Sequence, residues 1–285
     1  MKEYPVFVPS GDERIGAVVC VPDAPPRGLV LLLPGGGGAP RSQRFGLFTK
    51  IARGLAERDI ASVRMEWPGI GDSTGRARYS FKALPVEHST TVARFALRAT
   101  GARVFGMVGN CGGARTTLLA LPTVPEATSG VLMMLKPLTG TRSRKQAVRK
   151  TKLFVRKIPR IGLVIRRGYW ALRWRKANPV LDQLRSVSGV SDLLLLEANT
   201  VKVGNQLPRF VESLQGKNGR HRLELREMPG GGVRAFQSIE RQEFAIRAAV
   251  EWFDQVFPPS PAGGNGSAAE LSAAELIAER ERTRS

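Results

Sequence analysis

The chain has 285 residues, 42% of them hydrophobic, and carries 44 Lys and Arg against 24 Asp and Glu, a formal net charge of +20. This is enough for one α/β domain with a sizeable core and an inserted segment. Its two widely spaced cysteines, Cys20 and Cys111, exclude a disulfide framework, and no run approaches the roughly 20 apolar residues of a membrane span.

The opening residues Met1-Lys2-Glu3-Tyr4-Pro5 lack the basic region and apolar core of a signal peptide. With the free cysteines, this leads us to expect a cytoplasmic, reducing setting. Gly16–Val21 and Gly28–Leu33 read as strands, the second apolar throughout. Helical spacing over Phe45–Arg58 puts Phe45, Phe48, Ile51, Ala52 and Leu55 on one face. Ile60–Met65 is a strand, Val86–Thr100 a helix, Val104–Val108 a strand, Ala114–Leu121 a helix and Gly130–Leu135 a strand. Further on come strands at Asp192–Leu196 and Leu223–Met228, with helices at Gln206–Leu214 and Phe236–Phe257. Strand–helix alternation at this spacing predicts a mostly parallel sheet covered on both faces, with ligands at the carboxyl ends of its strands. The tail from Pro258 is rich in Pro, Gly and Ser, then in Ala, Glu and Arg; we expect a disordered linker and a short solvated helix.

The most informative feature is Gly109-Asn110-Cys111-Gly112-Gly113, directly after the apolar run Val104–Val108. A buried strand ending in G-x-C-x-G and running into a helix is the pattern of a nucleophile elbow, whose central side chain is exposed on a strained turn. Two companion segments precede it. Leu29-Val30-Leu31-Leu32-Leu33-Pro34-Gly35-Gly36-Gly37-Gly38 resembles the strand and glycine turn that supply an oxyanion-hole amide. Val63-Arg64-Met65-Glu66-Trp67-Pro68-Gly69-Ile70-Gly71-Asp72-Ser73 resembles an R-G-x-G-D-S turn. In order and spacing the three resemble the α/β-hydrolase superfamily, in its serine-aminopeptidase-like branch. They are similar to hydrolases associated with exosortase and exopolysaccharide loci, which also carry Cys at the elbow and an Arg-rich cap. The resemblance covers roughly residues 10–257.

What the resemblance implies is an α/β-hydrolase core over 1–135 and 179–257, a basic helical cap inserted at 136–178, and a tail over 258–285. Cys111 would be the nucleophile, and the amides of Gly36 and Gly112 would hold the oxyanion. A thiol ionises near 8.5, and lower at a helix N-terminus or beside a cation; Arg115, one helical turn on, is such a cation. No cofactor or metal is implied.

The rest of the expected triad is not in the motif positions. The resemblance implies a His in a P-G-A-D-H-x-F turn after the last strand, where this chain reads Met228-Pro229-Gly230-Gly231-Gly232-Val233-Arg234-Ala235-Phe236. The acid position falls at Asn199 or Thr200, with Glu197 nearby at the strand end. Of the two histidines, His221 precedes the last strand and should sit at the opposite end of the sheet. His88 begins a helix at the carboxyl face, on the correct side but in another loop. Without a His the acylation step survives better than water attack on the acyl group. Two readings follow. One is a Cys-dependent ester or thioester hydrolase or acyl transferase, set by the resemblance in envelope polysaccharide or lipid metabolism. The other is a catalytically inactive pseudo-hydrolase acting as a binding or scaffold module.

The charge is concentrated. Between Lys136 and Asn178 stand 15 Lys and Arg and no acid, and the remainder of the chain carries only +5. From Leu153 these cations interleave with Phe154, Tyr169, Trp170 and Trp174. Such a segment suits an anionic membrane surface, placing the protein peripherally on the inner face, or an acidic carrier protein or polyanion. The absence of a recognised motif disfavours nucleic acid. The substrate class is a small-molecule or acyl compound.

Overall fold

The computed structural model describes residues 1–36, 38–77, 79–80, 83–135, 179–198, 206–215, 220–229 and 236–259. The basic segment 136–178 and the tail from 260, with the expectations placed on them, lie outside the described residues. By contacts the chain divides into two compact units, Met1–Leu135 with Val187–Ser285, and Lys136–Ser186. Of the second unit only the start of a helix is described, α4 (Pro179–Ser188).

The first unit is built on one eight-stranded sheet. Its strands are β1 (Lys2–Ser10), β2 (Glu13–Val21), β3 (Gly28–Leu33), β4 (Ile60–Met65), β5 (Phe105–Asn110), β6 (Ala127–Met133), β7 (Asp192–Glu197) and β8 (Leu223–Glu227). Their order is β1-β2-β4-β3-β5-β6-β7-β8. β1 and β2 run antiparallel to their neighbours, and β4 through β8 pair in parallel. The helices are α1 (Leu47–Ala56), α2 (Val86–Thr100), α3 (Gly112–Ala120), α5 (Gln206–Leu214) and α6 (Ile239–Val256). β3, β4 and β5 are buried along their whole length, and β3 accordingly reads as an unbroken apolar run.

One face of the sheet carries α1 and α6. Phe48, Ile51 and Leu55 of α1 and Trp252 and Phe253 of α6 form one buried cluster with Val30, Leu32, Val108, Val131, Leu194 and Leu196. Each such side chain contributes roughly 1.5–3 kcal/mol on leaving water. α6 starts on a Ser238 cap, whose hydroxyl accepts from the Arg241 amide at 3.2 Å. Its last turn is closed by Arg27, which donates to the carbonyls of Asp254 and Phe257 at 3.2 and 3.1 Å. Among the described residues no helix is long and apolar enough to cross a membrane.

Two expectations are corrected. Phe45 is not on the buried face of α1. The chain reaches that helix through a short 3₁₀ turn, Arg44–Gly46, with positive φ at Gln43, Phe45 and Gly46, and this throws Phe45 outward at 53% exposure. β1 is an added strand. Pro5 and Pro9 hide it in the sequence, but they fall on the same alternating set of an edge strand, where missing donors are tolerated. Its other set, Val6, Val8 and Ser10, is buried.

Candidate active site

The turn from β5 into α3 is tight, the helix starting one residue after the strand ends. Cys111 caps α3 with φ 51° and ψ −101°, a conformation that costs an L-residue about 1–3 kcal/mol. The turn is fixed from below, where the Cys111 amide donates to the Met133 carbonyl at 2.8 Å. Packing explains the glycines on either side. A Cβ on Gly109 would stand 2.4 Å from the Gly113 carbonyl carbon, and one on Gly113 would stand 2.1 Å from the Leu33 carbonyl oxygen. The helix therefore starts directly against the ends of β3 and β5, and its N-terminal amides meet the loop that leaves β3.

That loop brings Gly36 beside Gly112: a Cβ on Gly112 would lie 2.9 Å from the Gly36 nitrogen. Two side chains hold the approach. Trp67, fully buried, donates its indole N–H to the carbonyls of Pro34 and Gly35 at 3.2 and 3.4 Å. Gln43 accepts from the Gly35 amide at 3.4 Å. Trp67 in turn belongs to the glycine turn after β4, which is organised by Glu66. That carboxylate accepts from the Asp72 amide at 2.8 Å and pairs with Arg41 at 2.8 Å, which also reaches Asp72 at 2.6 Å. Gly71, at φ +58°, leaves room for it: any Cβ there would stand 2.2 Å from a Glu66 oxygen. The three motif segments thus converge on Cys111.

Tyr79 covers this junction. Its ring lies on Gly36, its hydroxyl lies against Gly112, and its face packs on Trp67 with ring centroids 5.3 Å apart. Burial pushes the phenol up to about 12, against the hydrogen bond with Thr116, and the neighbouring Cys111 adds to the rise. Arg115 is buried at 5% exposure; burial lowers its pKa, and Tyr79 partly offsets this. The cation thus faces the tyrosine within the site. Nothing in the sequence points to Tyr79, because it sits in an irregular loop with no motif around it.

The two thiols differ sharply. Cys20 is buried in β2 and burial pushes it up to about 11, whereas Cys111 is half-buried at the elbow. A reactive thiol needs access and a cationic or helix N-terminal setting; Cys111 has these and Cys20 does not.

The histidines are committed elsewhere. His88 Nδ1 meets the Ser10 hydroxyl at 2.8 Å and Nε2 meets Glu13 at 3.4 Å, so its ring is held by the β1–β2 turn. In the sheet order that turn is three strand steps from β5, about 14 Å at the usual spacing. Both ring nitrogens of His88 are thus engaged by the β1–β2 turn at the sheet edge. His221 faces Asp192, the first residue of β7, at 3.6 Å and lies at the amino end of the sheet. Asn199, Thr200, Val233 and Arg234 lie outside the described residues.

Glu197 is the titratable group at the carboxyl end of β7. It is 8% exposed, and burial pushes its carboxyl up to about 8, offset in part by a hydrogen bond from the Leu135 amide. The signal was present in the sequence as a charge closing the apolar run Leu193–Leu196.

No protein-family model and no curated protein matches the sequence. Solved structures do. The Pyrococcus furiosus esterase Pf2001 superposes with a TM-score of 0.62 at 16% identity, over 90% of this chain and 92% of that one. Est1E from Butyrivibrio proteoclasticus, described with ferulic acid bound, gives 0.61 at 13% identity over 88% and 98%. XC6422 from Xanthomonas campestris, described as an α/β serine hydrolase without a lid, gives 0.57 at 13% identity over 92% and 98%. The fold is that of the α/β-hydrolases. Within the hydrolase fold the elbow stands after β5, and the end of β7 is the position from which the resemblance expects an acid.

Proposed function

We propose that the protein is an acyl-transfer enzyme acting on esters or thioesters through Cys111. The observation that carries this reading is the backbone at Cys111, strained at φ 51° and ψ −101° on the N-terminus of α3 and walled by glycines that admit no side chain. Such strain persists only where the surroundings enforce it, and it aims the thiol outward. The thiolate attacks the acyl carbonyl. The oxyanion is held by the amides of Gly112 and Gly36, with the Tyr79 hydroxyl as a third donor beside them. The leaving thiolate or alkoxide departs, leaving an acyl-Cys111.

The esterase structures that share the fold support the hydrolase class. A setting in envelope polysaccharide or lipid metabolism rests on the motif resemblance. The basic segment 136–178 would bring the protein to an anionic membrane, an acidic carrier or a polyanion. Liposome sedimentation with anionic lipid at low and high salt tests the membrane; no binding at low salt removes it.

The second reading, a binding module that has lost turnover, is favoured by the placement of both histidines away from Cys111. Incubation with a panel of p-nitrophenyl esters and acyl thioesters, followed by mass spectrometry, separates the two. An acyl adduct present in the wild type and absent in Cys111→Ala supports the enzyme. No adduct and no turnover across the panel overturns it.

A further inference from the structure

The chain has only two histidines, and both are held elsewhere, so an acyl-Cys111 must be released without an imidazole. Three observations bring another group to the task. The first is position. The Cys111 amide donates to Met133, and the Glu197 carboxyl accepts from Leu135, so the two residues flank the same carboxyl end of β6 from its two sides. The second is the face. Leu193 contacts the position where a Cβ on Gly130 would lie, alongside Leu121 and Thr117, and so packs on the α3 side of the sheet. Alternation along β7 puts Leu195 and Glu197 on that same side, the side on which α3 begins at Cys111. The third is an unused atom. Among the described residues, Glu197 Oε1 is buried and has no hydrogen-bond partner, at a cost that a protein normally avoids and that calls for an explanation.

Resting on the proposed acyl-Cys111, we infer that Glu197 is the general base for its release, acting directly on the attacking nucleophile with no imidazole between. In the hydrolytic case the ionised carboxylate takes a proton from water as the water oxygen bonds to the acyl carbon. The carbon–sulfur bond breaks, Cys111 leaves as thiolate, and the proton passes from Glu197 back to sulfur or to solvent. The products are the free acid and the original enzyme. An alcohol or amine acceptor uses the same proton path.

On that side, among the described residues, stand Cys111 at the elbow, Arg115 on α3 and Tyr79 above them, with Glu87, His88, Arg94 and Arg98 carried by α2, which packs on α3; β8 brings Glu227, the register partner of Glu197, and Met133–Leu135 bring none. Burial keeps the Glu197 carboxyl protonated at neutral pH, with ionisation near 8. Acylation should therefore outrun release below that pH.

The test uses p-nitrophenyl acetate with the full chain, between pH 6.5 and 9. Wild type should give a burst of nitrophenolate and an acetyl adduct on Cys111 at pH 6.5. Its steady-state turnover should climb about tenfold per pH unit and level off above 8. Glu197→Gln, isosteric and uncharged, should form the adduct at the wild-type rate, while turnover at pH 8.5 falls by roughly 10²-fold or more and the climb disappears. Glu197→Asp should keep the climb at reduced rate. If Glu197→Gln forms the adduct and releases it with the wild-type profile, the inference is overturned while the Cys111 reading stands. If wild type forms no adduct, the Cys111 reading fails and takes the inference with it.

Discussion

The Tyr79 hydroxyl occupies the space beside Gly112 that a side chain would fill: a Cβ there would lie 2.0 Å from Tyr79 Oη. The same ring presses on Gly36, where the three atoms nearest to a Cβ would all be Tyr79 carbons, at 2.1, 2.6 and 2.8 Å. Gly36→Ala therefore collides first with the Tyr79 ring. It should cost about 1–3 kcal/mol, as overpacking does. Tyr79→Ala in the same chain should remove that cost, giving a coupling of about 1 kcal/mol or more by urea unfolding of the four proteins. Additive single effects would show that the ring does not rest on Gly36.

The glycines beneath the elbow meet backbone instead. Gly113→Ala places a Cβ 2.1 Å from the Leu33 carbonyl oxygen, with the Pro34 carbonyl oxygen at 2.7 Å. Main chain in a buried sheet cannot step aside, so a loss of about 3 kcal/mol is expected, at the upper end for overpacking. Gly101→Ala is the comparison. Gly101 has φ +65° with nothing within 4 Å of a Cβ, so only the conformational cost applies, about 1–2 kcal/mol. Thermal unfolding should rank Gly113→Ala well below Gly101→Ala. The reverse order would contradict the close packing of α3 on β3.

Where the backbone is dictated by local pattern, the sequence could be read. β3 is an unbroken apolar run because both faces of the sheet are covered, and Gly109 and Gly113 announce the elbow because contact with backbone admits nothing larger. Position in space was harder. Phe45 has helical spacing with Phe48, but the positive φ values at Gln43 and Phe45 break the helix before it. Tyr79 reaches the site from a loop with no periodicity. Arg115 has the spacing of a solvated helix residue and is instead buried beside that tyrosine. Glu197 was visible as the charge at the end of an apolar strand, but its burial depends on long-range packing that no local pattern encodes.

Strain at the elbow gives a third prediction. Cys111 holds φ 51°, which glycine adopts without penalty. Cys111→Gly should raise stability by about 1 kcal/mol, the relieved strain outweighing the lost contacts of a half-buried thiol. It should also abolish any acyl adduct. A variant both more stable and unreactive is the signature of a position where stability is sacrificed for geometry. A Cys111→Gly protein less stable than Cys111→Ala would argue against strain at this turn.

Glu197 makes stability depend on pH. Its folded pKa is raised to about 8 from the ordinary 4.5. Between these values the folded state holds a proton that the unfolded state has released. Stability therefore falls as pH rises from about 4.5 to about 8, and is level outside that window. Glu197→Gln removes this dependence while keeping the shape. The variant should match the wild type most closely near pH 4.5. Its advantage should then grow with pH, reaching a few kcal/mol at pH 8. Denaturant unfolding of both proteins at pH 5, 6.5 and 8 measures the gap directly. A constant gap across the three would mean that the carboxyl is already ionised in the folded protein at pH 5, and with it would go the reason for expecting release of an acyl group to wait for alkaline pH.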